Sequence, residues 1–168
     1  MKAILVLACV VLAGLVTAVL ALNTAECKQE YPVDAFHVFP VGKVKKEAGT
    51  TTIEIYEEYA DALLSLNQFS HVVVLYWFDK NDTPEKRKTL RVHPRGNMSN
   101  PLTGVFATRS PRRPNLIGLS VCKILSVSNN VIRVDAIDAF HGTPVLDLKP
   151  YVPRMDRVHN ASGPKWAK

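Results

Sequence analysis

The segment HVVVLYWF, residues 71–78, constrains the fold more than any other stretch of the chain. After its histidine it is continuously apolar, and its β-branched and aromatic residues favour extended backbone. It is far shorter than the roughly 20 residues a membrane-spanning helix needs. The run therefore predicts a strand buried on both faces. Other short runs resemble it. FPVGKV predicts a brief strand, and TTIEIY (51–56) alternates apolar and polar residues as a half-buried strand does. GVFAT, GLSVCKILSV, NVIRVDAID and PVLDLKPYV follow, with Ile132, Val134 and Ala136 alternating against Arg133 and Asp135. Asn129-Asn130 between two of these runs predicts a hairpin turn. Only YEEYADALLSLNQF has helical spacing, with Tyr56, Tyr59, Leu63 and Leu66 on one face. Residues 79–103 are mostly loop, in which Thr83-Pro84 can open one helical turn. The fold class expected is mainly β: a small single-sheet β-barrel with a short helical insertion.

A hydrophobic helix is expected before the barrel. Residues 3–22 carry no charge, and their length lies between a secretory core of about 7–15 residues and a membrane anchor of about 20. Small residues at Ala21 and Ala25 permit cleavage, and length slightly favours an anchor. The divisions expected are a signal or anchor at 1–22, a linker at 23–35, a barrel at 36–153 and a loosely packed tail at 154–168. Cys122 is expected to be a buried thiol; if the chain is exported, pairing with Cys27 is the alternative. No spacing suggests a metal site.

Two stretches carry chemistry. In GVFATRSPRRPNLIG (104–118), Pro111 and Pro114 stiffen a loop that presents Arg109, Arg112 and Arg113. A loop shaped in advance lowers the entropic cost of binding, and guanidinium forks suit carboxylate or phosphate. An anionic or nucleotide-like ligand is one reading; a stiff solvated turn is the other. In DAIDAFHGTPVLD, the residues Asp135, Asp138, His141 and Asp147 surround a Gly-Thr-Pro turn suited to a ribose hydroxyl or an ammonium group. Between 79 and 113, nine Lys/Arg including Arg95 stand against three acids, a local +6 equal to the net charge of the whole chain. That density beside Tyr76, Trp77 and Phe106 suits a folded RNA, or else marks a solvated basic face. There is no G-x-G-x-x-G after a strand and no P-loop, which leaves Rossmann-type and P-loop nucleotide sites unsupported.

FSHVVVLYWF, GVFATRSPRRPNLIGLSV and HGTPVLDLKPYVP, in this order, closely resemble the TsaA-like (TrmO) family from about Phe36 to Pro153. The resemblance implies a small β-barrel, usually a homodimer, that binds S-adenosylmethionine. It implies methyl transfer to N6 of threonylcarbamoyl-adenosine beside the anticodon of tRNA. By position it implies cofactor contacts at Asp79, Lys80, Arg109 and Leu119 and at the turn His141, Gly142, Thr143 and Pro144. Arg112, Arg113 and Arg95 are candidate RNA contacts, and Asp138 or His141 a candidate proton acceptor. The chain departs from the family pattern in three places. A P-R-Q tripeptide between the first two strands is missing, Leu116 stands for a proline, and His141 stands for an aspartate. An exported barrel would meet neither tRNA nor this cofactor. A membrane-anchored domain facing the cytoplasm, an exported relative, and a soluble cytoplasmic protein with a mis-assigned start are the three readings left.

Overall fold

The computed structural model describes residues 35–167. Eight strands are present: β1 (Gly42–Glu47), β2 (Thr50–Ile55), β3 (His71–Trp77), β4 (Arg91–Val92), β5 (Thr103–Gly104), β6 (Ile117–Ser128), β7 (Val131–Val134) and β8 (Pro144–Pro150). Six of them close an antiparallel barrel in the order β1-β2-β7-β6-β3-β8, while β4 and β5 pair apart from it. The expected mainly-β barrel is therefore present. The expected N-terminal hydrophobic helix, the linker residues 23–34 and Cys27 lie outside the described residues. Among the described residues no helix is long and apolar enough to cross a membrane.

Two tight hairpins organise the sheet. Glu47 pairs with Thr50 across a two-residue turn, and Ser128 pairs with Val131 across Asn129-Asn130, with Asn129 at φ 51°. This is the predicted hairpin. Asn130 also donates through Nδ2 to the Ile55 carbonyl at 2.6 Å, tying the turn to β2. The barrel closes where Gly42 pairs with Val145 and Lys43 with Pro144.

Each of the six barrel strands gives side chains to a single core. Val44, Ile53, Val72, Val74, Cys122, Ile132 and Val145 are fully buried there. β3 corrects an expectation, because it is not buried on both faces. Val72, Val74 and Tyr76 point inward, while His71, Val73, Leu75 and Trp77 are only half-buried. A closed antiparallel barrel has one interior, and no helical layer covers the other face of this strand. Three further expectations shift. The segment 56–69 forms two 3-10 turns, Glu57–Leu63 and Leu66–Gln68, because Ser65 adopts a left-handed φ of 68° and breaks the spiral. GVFAT is a 3-10 turn at Val105–Ala107 rather than a strand. β7 stops at Val134 because the Asp135 carboxylate accepts the Ala136 and Lys123 amides, leaving Ala136 exposed and Ile137 buried. Helix α1 (Pro84–Arg87) is the predicted single turn, with the Thr83 hydroxyl accepting the Lys86 amide.

Cys122 is a free, fully buried thiol, and burial pushes it up to about 11. The unfolded thiol titrates near 8.5. The unfolded chain therefore loses this proton first, and the contribution of Cys122 to stability is expected to be constant below about pH 8.5 and to fall toward pH 11. Cys122→Ala is expected to flatten this part of a denaturant-midpoint profile. An unchanged alkaline slope would assign it to other groups.

Candidate active site

The segment that follows β7 is drawn onto the end of β3 by a short series of hydrogen bonds. Tyr76, 3% exposed, donates its phenolic O–H to the Asp138 carbonyl at 2.7 Å and lies 3.4 Å from the Ser120 hydroxyl. Phe78 packs edge-on against it, with ring centroids 5.5 Å apart. Gly118, opposite Tyr76, makes room for the ring, since an added Cβ would lie 2.4 Å from Tyr76 Cε2. Burial pushes the Tyr76 phenol up; the Ser120 bond and the Arg109 charge work against this, and the Asp138 carboxylate adds to it. Both charged groups thus lie within electrostatic reach of one phenol. Sequence reasoning noted Tyr76 only as a stackable ring. Its position on the inward row of β3 was the available signal.

Beyond Asp138 the chain makes a tight turn. The Thr143 amide donates to the Phe140 carbonyl at 3.2 Å, and Gly142 holds φ 84°, a conformation that disfavours any side chain there. The Gly142 amide donates to Val44, and the Val44 amide to Thr143, which docks the turn on β1. Thr143, 3% exposed, donates its hydroxyl to Asp79 Oδ1 at 3.4 Å. Lys80 places its ammonium 4.2 Å above the Phe140 ring. Asp79, Lys80, Gly142 and Thr143, distant in sequence, therefore form one cluster. His141 is turned to the side, its Nδ1 accepting the Lys46 amide at 3.2 Å. Pro144 opens β8.

The proline-stiffened loop is built as the sequence suggests. The Thr108 hydroxyl donates to the Val105 carbonyl and accepts the Ser110 amide, and the Ser110 hydroxyl accepts the Arg112 amide. Leu116 is fully buried, and its carbonyl accepts the Phe78 amide at 2.8 Å. Arg87 reaches across to the Pro114 carbonyl at 3.2 Å. The loop borders a groove of about 1210 Å³ that receives Arg91, Arg95, Arg109 and Arg112, with Asp138 as its one carboxylate among the described residues. Arg113 instead reaches back 3.5 Å to the Thr108 carbonyl of its own loop. Leu119 also stands apart: it lies on the outer face of β6, 42% exposed, opposite Leu75.

The chain is thus a closed barrel whose arginine-lined groove, with Asp138 at its edge, has the charge and size to take an anionic or nucleotide-like ligand. The tRNA-methyltransferase O N-terminal domain family matches residues 26–157, and the chain belongs to that methyltransferase family. It is 45% identical over 121 residues to a probable S-adenosyl-L-methionine-binding protein of Methanocaldococcus jannaschii, covering 72% of this chain and 96% of that one. It is 43% identical over 110 residues to human tRNA (adenine(37)-N6)-methyltransferase, covering 66% of this chain but 24% of the human one. The crystal structure of TrmO from P. aeruginosa superposes with a TM-score of 0.62 at 31% identity, covering 81% of this chain and 63% of that one.

Proposed function

We propose that this chain is an S-adenosylmethionine-dependent methyltransferase that modifies N6 of threonylcarbamoyl-adenosine beside the tRNA anticodon. The observation that carries the reading is that Arg109 and Asp138 line one basic groove, with Asp138 a few residues before the turn whose Thr143 holds Asp79. The donor set suits the cofactor: Arg109 for its carboxylate and Asp79 for its ammonium or ribose hydroxyls. When bound, this cofactor supplies an electrophilic methyl group on a positively charged sulfur. The chain's own contribution is to hold and orient the reactants, which is the main lever for an in-line displacement. Asp138 faces the groove and is the better-placed acceptor for the N6 proton; His141 is held by the Lys46 backbone.

A second reading is a tethered or exported barrel that binds a nucleotide-like ligand without methyl transfer. The missing P-R-Q and the sideways His141 favour it. Mass spectrometry of tRNA from a deletion strain separates the two. Loss of the methylated nucleoside supports the enzyme, and an unchanged level in a strain with no second copy removes it. We place the barrel on the cytoplasmic side, where tRNA is, with residues 3–22 as a membrane tether. A C-terminal reporter active only outside the cytoplasm would overturn that placement. For the homodimer we favour the outer face of β6, where Ile117, Leu119 and Val121 are each more than 40% exposed. Val121→Lys is expected to give monomers by light scattering.

A further inference from the structure

The two tryptophans of this chain have different surroundings. Trp77 is committed to the fold: its Nε1 donates to Asp82 at 3.0 Å, and the Arg87 guanidinium lies 5.2 Å from the ring centroid. Trp166 belongs to the tail, which was expected to be loosely packed, and lies beyond residue 157, where the family match ends. A 3-10 turn, Lys165–Ala167, closed by the Ala167 amide on the Pro164 carbonyl at 3.0 Å, presents its side chain. Trp166 is half-buried and lines the groove of Arg109, Arg112 and Asp138. Phe106, 79% exposed, lines the same groove. Among the described residues, no other ring and no cation is stacked on Trp166.

We propose that Trp166 is a stacking platform for an unpaired nucleobase of the RNA substrate. Two features select this ligand. An indole with no ring or cation stacked on it contributes most of its binding energy through a flat π-surface, and every base has one. Besides Arg109, the same groove supplies Arg91, Arg95 and Arg112 at its lining, the charge that follows a phosphate backbone. Single-stranded RNA is held by this combination of basic groove and exposed aromatic rings. A groove of about 1210 Å³ exceeds what one small cofactor fills, given ligand pockets of about 300–1,000 Å³. The tail thus adds to the barrel a contact that the family-matched region does not contain. The inference rests on the tRNA reading above, and its test separates the two.

The test uses the full chain with Trp77→Phe, so that Trp166 is the sole tryptophan and is excited at wavelengths where the tyrosines do not absorb. An anticodon stem-loop RNA and S-adenosylhomocysteine are titrated separately. The RNA is expected to quench Trp166 emission and the cofactor product to leave it unchanged. In the otherwise wild-type chain, Trp166→Ala is expected to weaken stem-loop binding by roughly 5- to 150-fold, the equivalent of about 1–3 kcal/mol per stacked base. S-adenosylhomocysteine affinity is expected to stay within about twofold, and Trp166→Phe is expected to recover most of the loss. These two variants stand even if Trp77→Phe does not fold. RNA binding with no change at Trp166 and no effect of Trp166→Ala overturns the inference alone. Quenching by the cofactor product in place of RNA also overturns it. If the wild-type chain does not bind the stem-loop, the tRNA reading and this inference fall together.

Discussion

Gly42→Ala is expected to destabilise the barrel by roughly 3 kcal/mol or more, lowering the melting temperature by about 10 °C. Gly42 sits where the sheet closes, pairing with Ile55 of β2 on one side and Val145 of β8 on the other. An added Cβ would lie 2.3 Å from the Glu54 carbonyl oxygen and 3.0 Å from Ile55 Cα. Both are backbone atoms of a paired strand, so neither can rotate out of the way. The strand must move instead, and with it the register that closes the barrel. Gly104→Ala is the matched control, because its Cβ would have nothing within 4 Å. It is expected to melt within about 2 °C of wild type, in line with surface substitutions of about 0.5 kcal/mol. Equal melting of the two variants would show that the closing pair is not as tight as described.

The second large effect concerns ligand binding. Arg109→Ala is expected to weaken S-adenosylhomocysteine binding by about 1–3 kcal/mol, roughly 5- to 150-fold, as loss of a charge-assisted hydrogen bond does. Its melting temperature is expected to stay near wild type, because Arg109 is exposed and outside the core. Arg109→Lys is expected to recover only part of the affinity, since an ammonium lacks the planar fork. Arg112→Ala is expected to leave the cofactor product unaffected and to weaken RNA, with a shallower salt dependence. Calorimetry on the three variants gives the answer. Equal losses from Arg109→Ala and Arg112→Ala would mean that the groove attracts anions only through its summed charge.

Most strands were legible because a strand's period of two and its β-branched residues are local properties. Where reading failed, a specific residue is responsible. The apolar spacing of Tyr59, Leu63 and Leu66 suits a helix, and a single left-handed Ser65 divides it. The alternation in NVIRVDAID continues on paper to Ala136, but the Asp135 carboxylate captures the next amide and ends the strand. β3 is apolar on both rows, and no spacing rule says whether its second row meets a helix or the outside of a barrel. The site was legible in part. Asp79, Lys80, Gly142 and Thr143 cluster, and Arg109 and Asp138 line one groove, whereas Leu119 and Arg113 face elsewhere.

Local sterics and hydrogen bonding alone determine the turns of this protein. Pro111 and Pro114 set the loop, Asn129-Asn130 the hairpin, Thr83-Pro84 the helical turn and Gly142 the bend before β8. These act over a few residues and need no knowledge of the rest of the chain. Only the tertiary structure decides that β1 closes on β8, that Tyr76 fastens the Asp138 segment to the barrel, and that Trp166 arrives in the groove of Arg109. Those contacts join residues 57 to 103 positions apart. They depend on which strands neighbour one another once the sheet closes, and sequence spacing carries no record of that.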